Sequence, residues 1–115
     1  MNKAAERDEL WHQLRMIKMN IRGVWCIMGD LNAIRNHEDR LGGAVISNAD
    51  IQPMRNLIDD CELDDLKAKG AFFTWNNKQE KDHLIYSRID RVLINEEWLN
   101  LFPWSFANFM PEGFI

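Results

Sequence analysis

Val24-Trp25-Cys26-Ile27-Met28-Gly29-Asp30-Leu31-Asn32 is the stretch on which the fold turns. Its first five residues are apolar without alternation, which predicts a short strand buried on both faces. The run is too short for a helix, and Gly29 closes it. Open α/β folds place functional groups at strand ends, and a glycine there lets a substrate or another backbone approach closely. Asp30 and Asn32 are two residues apart, so in extended backbone they point to the same face. A carboxylate beside an amide suits phosphodiester chemistry: one accepts or relays a proton, the other donates to a phosphate oxygen or an attacking water. A capped turn accounts for the same residues, since Gly, Asp and Asn are all turn formers.

Helical and extended segments alternate on either side of this stretch. Upstream, Leu10, Leu14, Ile17 and Ile21 recur at helical spacing, with Trp11 widening the face, and predict a helix from about Ala4 to Asn20. Downstream, Ala33 to Ala49 reads as loop with a turn at Gly42-Gly43. Asp50 caps a second helix, with Pro53 in its first turn and Ile51, Met54, Leu57, Ile58 and Cys61 as its apolar stripe. Ala71 to Trp75 and a segment from about Leu84 or Ile89 to Ile94 read as two strands of a long-looped hairpin. Asn95 then caps a short helix favoured by Glu96 and Glu97 and stopped by Pro103. The tail is aromatic: Phe102, Trp104, Phe106, Phe109 and Phe114.

Two further stretches carry candidate chemistry. In Ser87-Arg88-Ile89-Asp90-Arg91, Asp90 precedes an apolar run, where a carboxylate is costly without a partner. A structural ion pair with Arg88 or Arg91 and a carboxylate that orients a catalytic histidine are equally good readings. In Phe72-Phe73-Thr74-Trp75-Asn76-Asn77, Thr74 and the amides, Asn76 included, can bind phosphate, while Trp75 can pack on a sugar or base. A core strand ending in an Asn-rich turn explains that segment too. Arg40, beside Gly42-Gly43, is a candidate contact to a nucleic-acid backbone or a solvated turn residue. His12, His37 and His83 neighbour no Ser-Asp pair or metal-ligand cluster in sequence, and surface roles are expected for all of them.

Composition narrows the classes. The 115 residues carry a formal charge of −4, which disfavours binding nucleic acid by bulk charge alone. An acidic chain still acts on nucleic acid where its carboxylates hold a divalent metal. Two cysteines, Cys26 and Cys61, lie far apart without a CxxC pair, so neither a disulfide scaffold nor a thiolate zinc site is expected. The charged N-terminus has no signal-peptide core, and no apolar run approaches the roughly 20 residues of a membrane span. An intracellular location is expected, the nucleus included, and no membrane partner. Five Trp and six Phe imply a large apolar area that must find partners.

Taken in order, the segments Val24 to Ile34, Glu38 to Gly43, Cys61 to Leu66, Gly70 to Asn77, Ser87 to Asn95 and Trp98 to Pro103 resemble the endonuclease/exonuclease/phosphatase domain of DNase I-like fold. The version most similar is that of plant LINE-type (non-LTR) retrotransposons. The resemblance implies an α/β fold, part of an α-β-β-α four-layer sandwich, with Mg²⁺-dependent hydrolysis of DNA phosphodiesters. It implies that Asp30 moves a proton at the scissile phosphate and that Asn32 positions phosphate or water. It also implies that Asp90 bonds a catalytic histidine and that Thr74 to Asn76 lie on the substrate side. Leu31 stands where the family more often has Phe.

The family pattern also has opening strands with a metal-binding glutamate and a closing Ser-Asp-His strand, and neither matches a segment of these 115 residues. The expectation is a single partial domain over residues 1–115 with no complete metal site and, by itself, no meaningful nuclease activity. An incompletely covered sheet face should favour self-association or pairing with a complementing fragment. The alternatives are a non-catalytic DNA- or protein-binding module that keeps the fold, and an unrelated small α/β domain.

Overall fold

The computed structural model of the chain describes residues 3–110. Helix α1 spans Lys3–Asn20. Its core-facing residues are Trp11 and Leu14, flanked by Leu10 and Ile21, while Ile17 is largely exposed. The buried stripe is thus rotated toward Trp11 relative to the expected face. Strand β1 follows at Cys26–Asp30, two residues later than the apolar run suggests. A 3₁₀ turn at His37–Asp39 leads into β2 (Arg40–Leu41).

Helix α2 (Asn48–Asp60) starts at Ser47, not Asp50. Asp50 is the third helical residue and closes a capping box back onto Ser47. Pro53 therefore stands in the second turn, where it leaves the carbonyl of Ala49 without its usual N–H partner. The apolar stripe read from the sequence is the one buried: Ile51, Met54, Leu57, Ile58 and Cys61 are all at most 2% exposed.

The second half is more broken than a two-strand hairpin. Strands β3 (Asp64–Asp65), β4 (Ala68–Gly70), β5 (Trp75–Asn76), β6 (Tyr86–Ser87) and β7 (Asp90–Ile94) precede α3 (Glu96–Leu101) and β8 (Ala107–Phe109). Phe72 and Phe73 stack edge to face in a loop instead of forming a strand. The expected hairpin survives as antiparallel β5–β6, which pairs Trp75 with Ser87.

Among the described residues three small sheets result, ordered β1-β7-β3, β2-β6-β5 and β4-β8. β7 is the central strand of the first, and its Leu93 is fully buried against α2 in the main core. Met28 projects to the face opposite the main core and is 74% exposed there, so the expectation of burial on both faces is corrected. An apolar run does not say what will cover each face of its strand. A second apolar cluster, Leu66, Val92 and Ile94 with Trp98 and Phe109, covers part of the opposite face.

Asn95 joins the pieces. Its side chain accepts from the Trp98 N–H as the α3 cap and from the Trp25 N–H, and it donates to the Gly23 carbonyl. Mixed helix and strand content of this kind agrees with the expected partial α/β DNase I-like fold. No helix among the described residues is long and apolar enough to cross a membrane. Phe114 lies outside the described residues.

Candidate functional site

The last rung of the β1–β7 ladder sets Asp30 directly opposite Asp90. Facing residues of an antiparallel pair project to the same side, so the two carboxylates share a face with Met28 and Val92. Like charges placed opposite each other destabilise a sheet. Neither Arg88 nor Arg91 relieves them. Arg88 lies over the rings of Phe72 and Phe109, at 5.0 and 5.4 Å from their centroids. Arg91 points to the other side, where it is 2% exposed and bonds Asp39 and Asp65. The ion-pair reading of Asp90 is therefore overturned: strand alternation removes Arg91, and the Phe72 and Phe109 rings hold Arg88.

Backbone geometry shapes the end of β1. Gly29 has φ +138 with open space around it, so it is the conformation, not crowding, that requires glycine. Asp30 Oδ1 accepts the Asn32 N–H at 2.6 Å, and Asn32 adopts φ +48. This side chain-to-backbone turn is the capped turn of the sequence reading, and it turns Asn32 out of the strand. Asn32 is consequently exposed, and its side-chain amide makes no hydrogen bond among the described residues. The turn reading and the site reading hold together: the turn is what presents the amide.

Asp30, Asn32, Arg40 and Trp75 line one cleft of about 520 Å³, together with Arg7, Ser87 and Ile89. These four expected residues come from three separate strand regions and the turn after β1. Ser87 is 1% exposed, and its Oγ has no hydrogen-bond partner among the described residues. Thr74 and Asp90 do not line this cleft. They border another, of about 490 Å³, beside Met28, Phe106 and Phe109. The Thr74 hydroxyl accepts from the N–H groups of Ile89 and Asp90, both at 3.1 Å, so it fixes the backbone that presents Asp90. Asn76 accepts the Lys78 N–H at 2.8 Å as a turn residue and lines neither cleft.

Arg7 is the residue that sequence reasoning passed over. Its Nη1 donates to the Asn32 carbonyl at 3.2 Å. The signal was present, since Arg7, Trp11 and Leu14 fall on one helix face and the last two are buried. Among the histidines, His37 Nε2 is 3.4 Å from Asn48 Oδ1, and none of the three lines the cleft.

Beneath the site lies a buried charge network. Asp39, 2% exposed, accepts from the guanidinium of Arg91 and from the N–H groups of Arg35 and Asn36, the last two at 2.9 and 3.0 Å. Its carbonyl accepts the Arg88 N–H at 2.7 Å. Arg35 in turn bonds Asp65 at 2.5 Å and Asp64 at 3.1 Å. Burial works to lower the Arg35 pKa, but these two carboxylates outweigh it and hold the guanidinium above its ordinary value. The network fixes the segment that ends in Arg40 against the strand that begins at Asp90.

Magnesium is commonly held by one or two carboxylates, waters and substrate phosphate oxygens. Asp30 and Asp90 supply two carboxylates, one already bonded to the Asn32 N–H. No group of three or more His, Cys, Asp or Glu suited to a metal occurs among the described residues.

The endonuclease/exonuclease/phosphatase family model matches residues 1–111. No curated protein and no solved structure matches the chain. Domains of this family are generally metal-dependent nucleases and phosphatases. The match covers nearly the whole chain and both strands that carry the facing aspartates: the chain belongs to the endonuclease/exonuclease/phosphatase family.

Proposed function

We propose that this chain engages DNA phosphodiesters as part of a Mg²⁺-dependent endonuclease domain of the LINE retrotransposon type. The observation that carries the reading is the cleft in which Asp30, the exposed Asn32 amide and two arginines converge. In this reading Asn32 donates to a non-bridging phosphate oxygen, and Asp30 receives the proton of an attacking water. Thr74 holds the backbone of Asp90, whose carboxylate adds a second negative charge on the same sheet face. The plant retrotransposon assignment rests on the ordered motifs, Asp30-Leu31-Asn32 and Ser87 to Asn95 above all.

We further propose that these 115 residues alone bind DNA but turn it over little, because among the described residues the aspartate pair has no third ligand and the cleft has no histidine. A non-catalytic module that binds DNA or protein is the second reading. Exposed Met28, Trp104 and Phe106 favour contact with a protein, either another copy or a complementing fragment. The test is fluorescence anisotropy on a labelled duplex at low salt, together with plasmid nicking in Mg²⁺. The expected result is salt-sensitive binding, weakened by Asn32→Ala, with nicking at background. Absence of DNA binding overturns the DNA reading. Mg²⁺-dependent nicking that disappears in Asp30→Ala overturns the proposed inactivity.

A further inference from the structure

The cleft does not end at Asn32. A second cavity of about 410 Å³ adjoins it, and the two share Arg7, Asn32, Arg40 and Ile89 as walls. The adjoining groove runs between the start of α1 and the first turns of α2, past Trp11, Ala49, Asp50 and Pro53. At about 30 Å³ per water it has room for roughly a dozen waters, more than one phosphate group needs.

The two arginines stand where the cavities meet, and both have donors to spare. Arg40 is exposed, and its side chain makes no hydrogen bond or ion pair among the described residues. Arg7 uses one N–H on the Asn32 carbonyl, which leaves most of its five donors free. Asp50, across the groove, is already bonded twice to Ser47, at 2.8 and 3.0 Å, and forms no close ion pair with either arginine. Trp75, 43% exposed, lines the same cleft as the arginines. The buried Ser87 Oγ, without a hydrogen-bond partner among the described residues, lies in that wall as well.

We infer that Arg7 and Arg40 form a second phosphate subsite, adjacent to the Asp30–Asn32 position, for the next phosphate of a nucleic-acid strand. The strand crosses from the cleft into the α1–α2 groove, with a base or sugar against Trp75. This rests on the proposed DNA reading and extends it, because a strand presents consecutive phosphates and the arginine pair stands where the cleft continues into the groove. Guanidinium forks match phosphate oxygens bidentately, and an aromatic face stacks any base.

The test measures anisotropy of a fluorescein-labelled 12-mer DNA against salt concentration, for the full chain and its variants. Arg7→Gln and Arg40→Gln are each expected to weaken binding several-fold at low salt. Together they should flatten the log–log salt dependence by about 0.7–0.9, the slope that one neutralised phosphate contributes, and each alone by part of that. Trp75→Ala is expected to weaken binding about tenfold with the salt slope unchanged. Arg40→Lys keeps the charge and should keep most of the slope. Arg22→Gln, an exposed arginine beyond α1, controls for net charge, and thermal melts confirm folding of every variant. Binding that is lost in Asn32→Ala but indifferent to Arg7→Gln and Arg40→Gln overturns the subsite and leaves the DNA reading intact. Equal losses in Arg22→Gln also overturn the subsite. A wild-type chain that does not bind the oligonucleotide overturns both.

Discussion

Asp90 and Arg91 are successive residues of one strand, and the fold treats their charges in opposite ways. Arg91, on the helix-covered face, is 2% exposed and bonds Asp39 and Asp65. Asp90, on the other face, stands opposite Asp30 with neither arginine beside it as a partner. A buried charge must be compensated for the chain to fold, whereas a charge at an open sheet face is free for something outside the chain. The same strand thus separates a structural network from a site, one residue apart.

The largest expected effect breaks the structural side. Arg91→Met should leave the Asp39 carboxylate buried without its guanidinium, at a cost of about 3–5 kcal/mol in urea unfolding. Adding Asp39→Asn should recover a good part of that loss. A single variant that loses less than about 1 kcal/mol would mean that the N–H groups of Arg35 and Asn36 suffice for Asp39, and the comparison would fail.

The open side should respond the other way. Asp30→Asn keeps an oxygen that accepts the Asn32 N–H and removes one of two facing negative charges. Stability should stay within about 0.5 kcal/mol of wild type or rise slightly. Under the proposed function, phosphodiester chemistry is what this variant loses in any assembly that restores turnover. A stability loss above about 1 kcal/mol would move Asp30 to the structural side.

Much of this contrast is local and could be read from sequence. Gly29-Asp30-Leu31-Asn32 at a strand end, the α2 stripe and the Asn95 cap are all set by residues within a few positions of one another. The partners around Asp90 could not be read that way. Arg88 and Arg91 are its nearest cations in sequence, but alternation sends Arg91 to the other face, and the partner Arg91 takes there, Asp39, is 52 positions away. The same limit hid the exposure of Met28, because what covers that sheet face belongs to no single stretch. It also divided the expected site, since Thr74 and Asp90 border a different cleft from Asp30 and Asn32.

Asp50 shows a third treatment of a carboxylate, and the smallest expected effect. It is an exposed side chain whose Oδ2 accepts from both the Ser47 N–H and the Ser47 hydroxyl. The N–H contributes most to holding its carboxyl below the ordinary range, the hydroxyl next, with smaller help from Arg40 and Arg7. A depressed folded-state pKa stabilises above the unfolded value near 3.9, and the stabilisation disappears as pH falls through the folded value. Thermal melts of wild type and Asp50→Asn should therefore differ at neutral pH and converge as the solution is taken below about pH 4. Ser47→Ala should cost about 1 kcal/mol at neutral pH because the cap is gone. A gap between wild type and Asp50→Asn that stays constant from neutral pH to well below about pH 4 would show that the charge is not what the capping box uses. Asp50 would then be a carboxylate whose charge is left to face the groove it shares with Arg7 and Arg40.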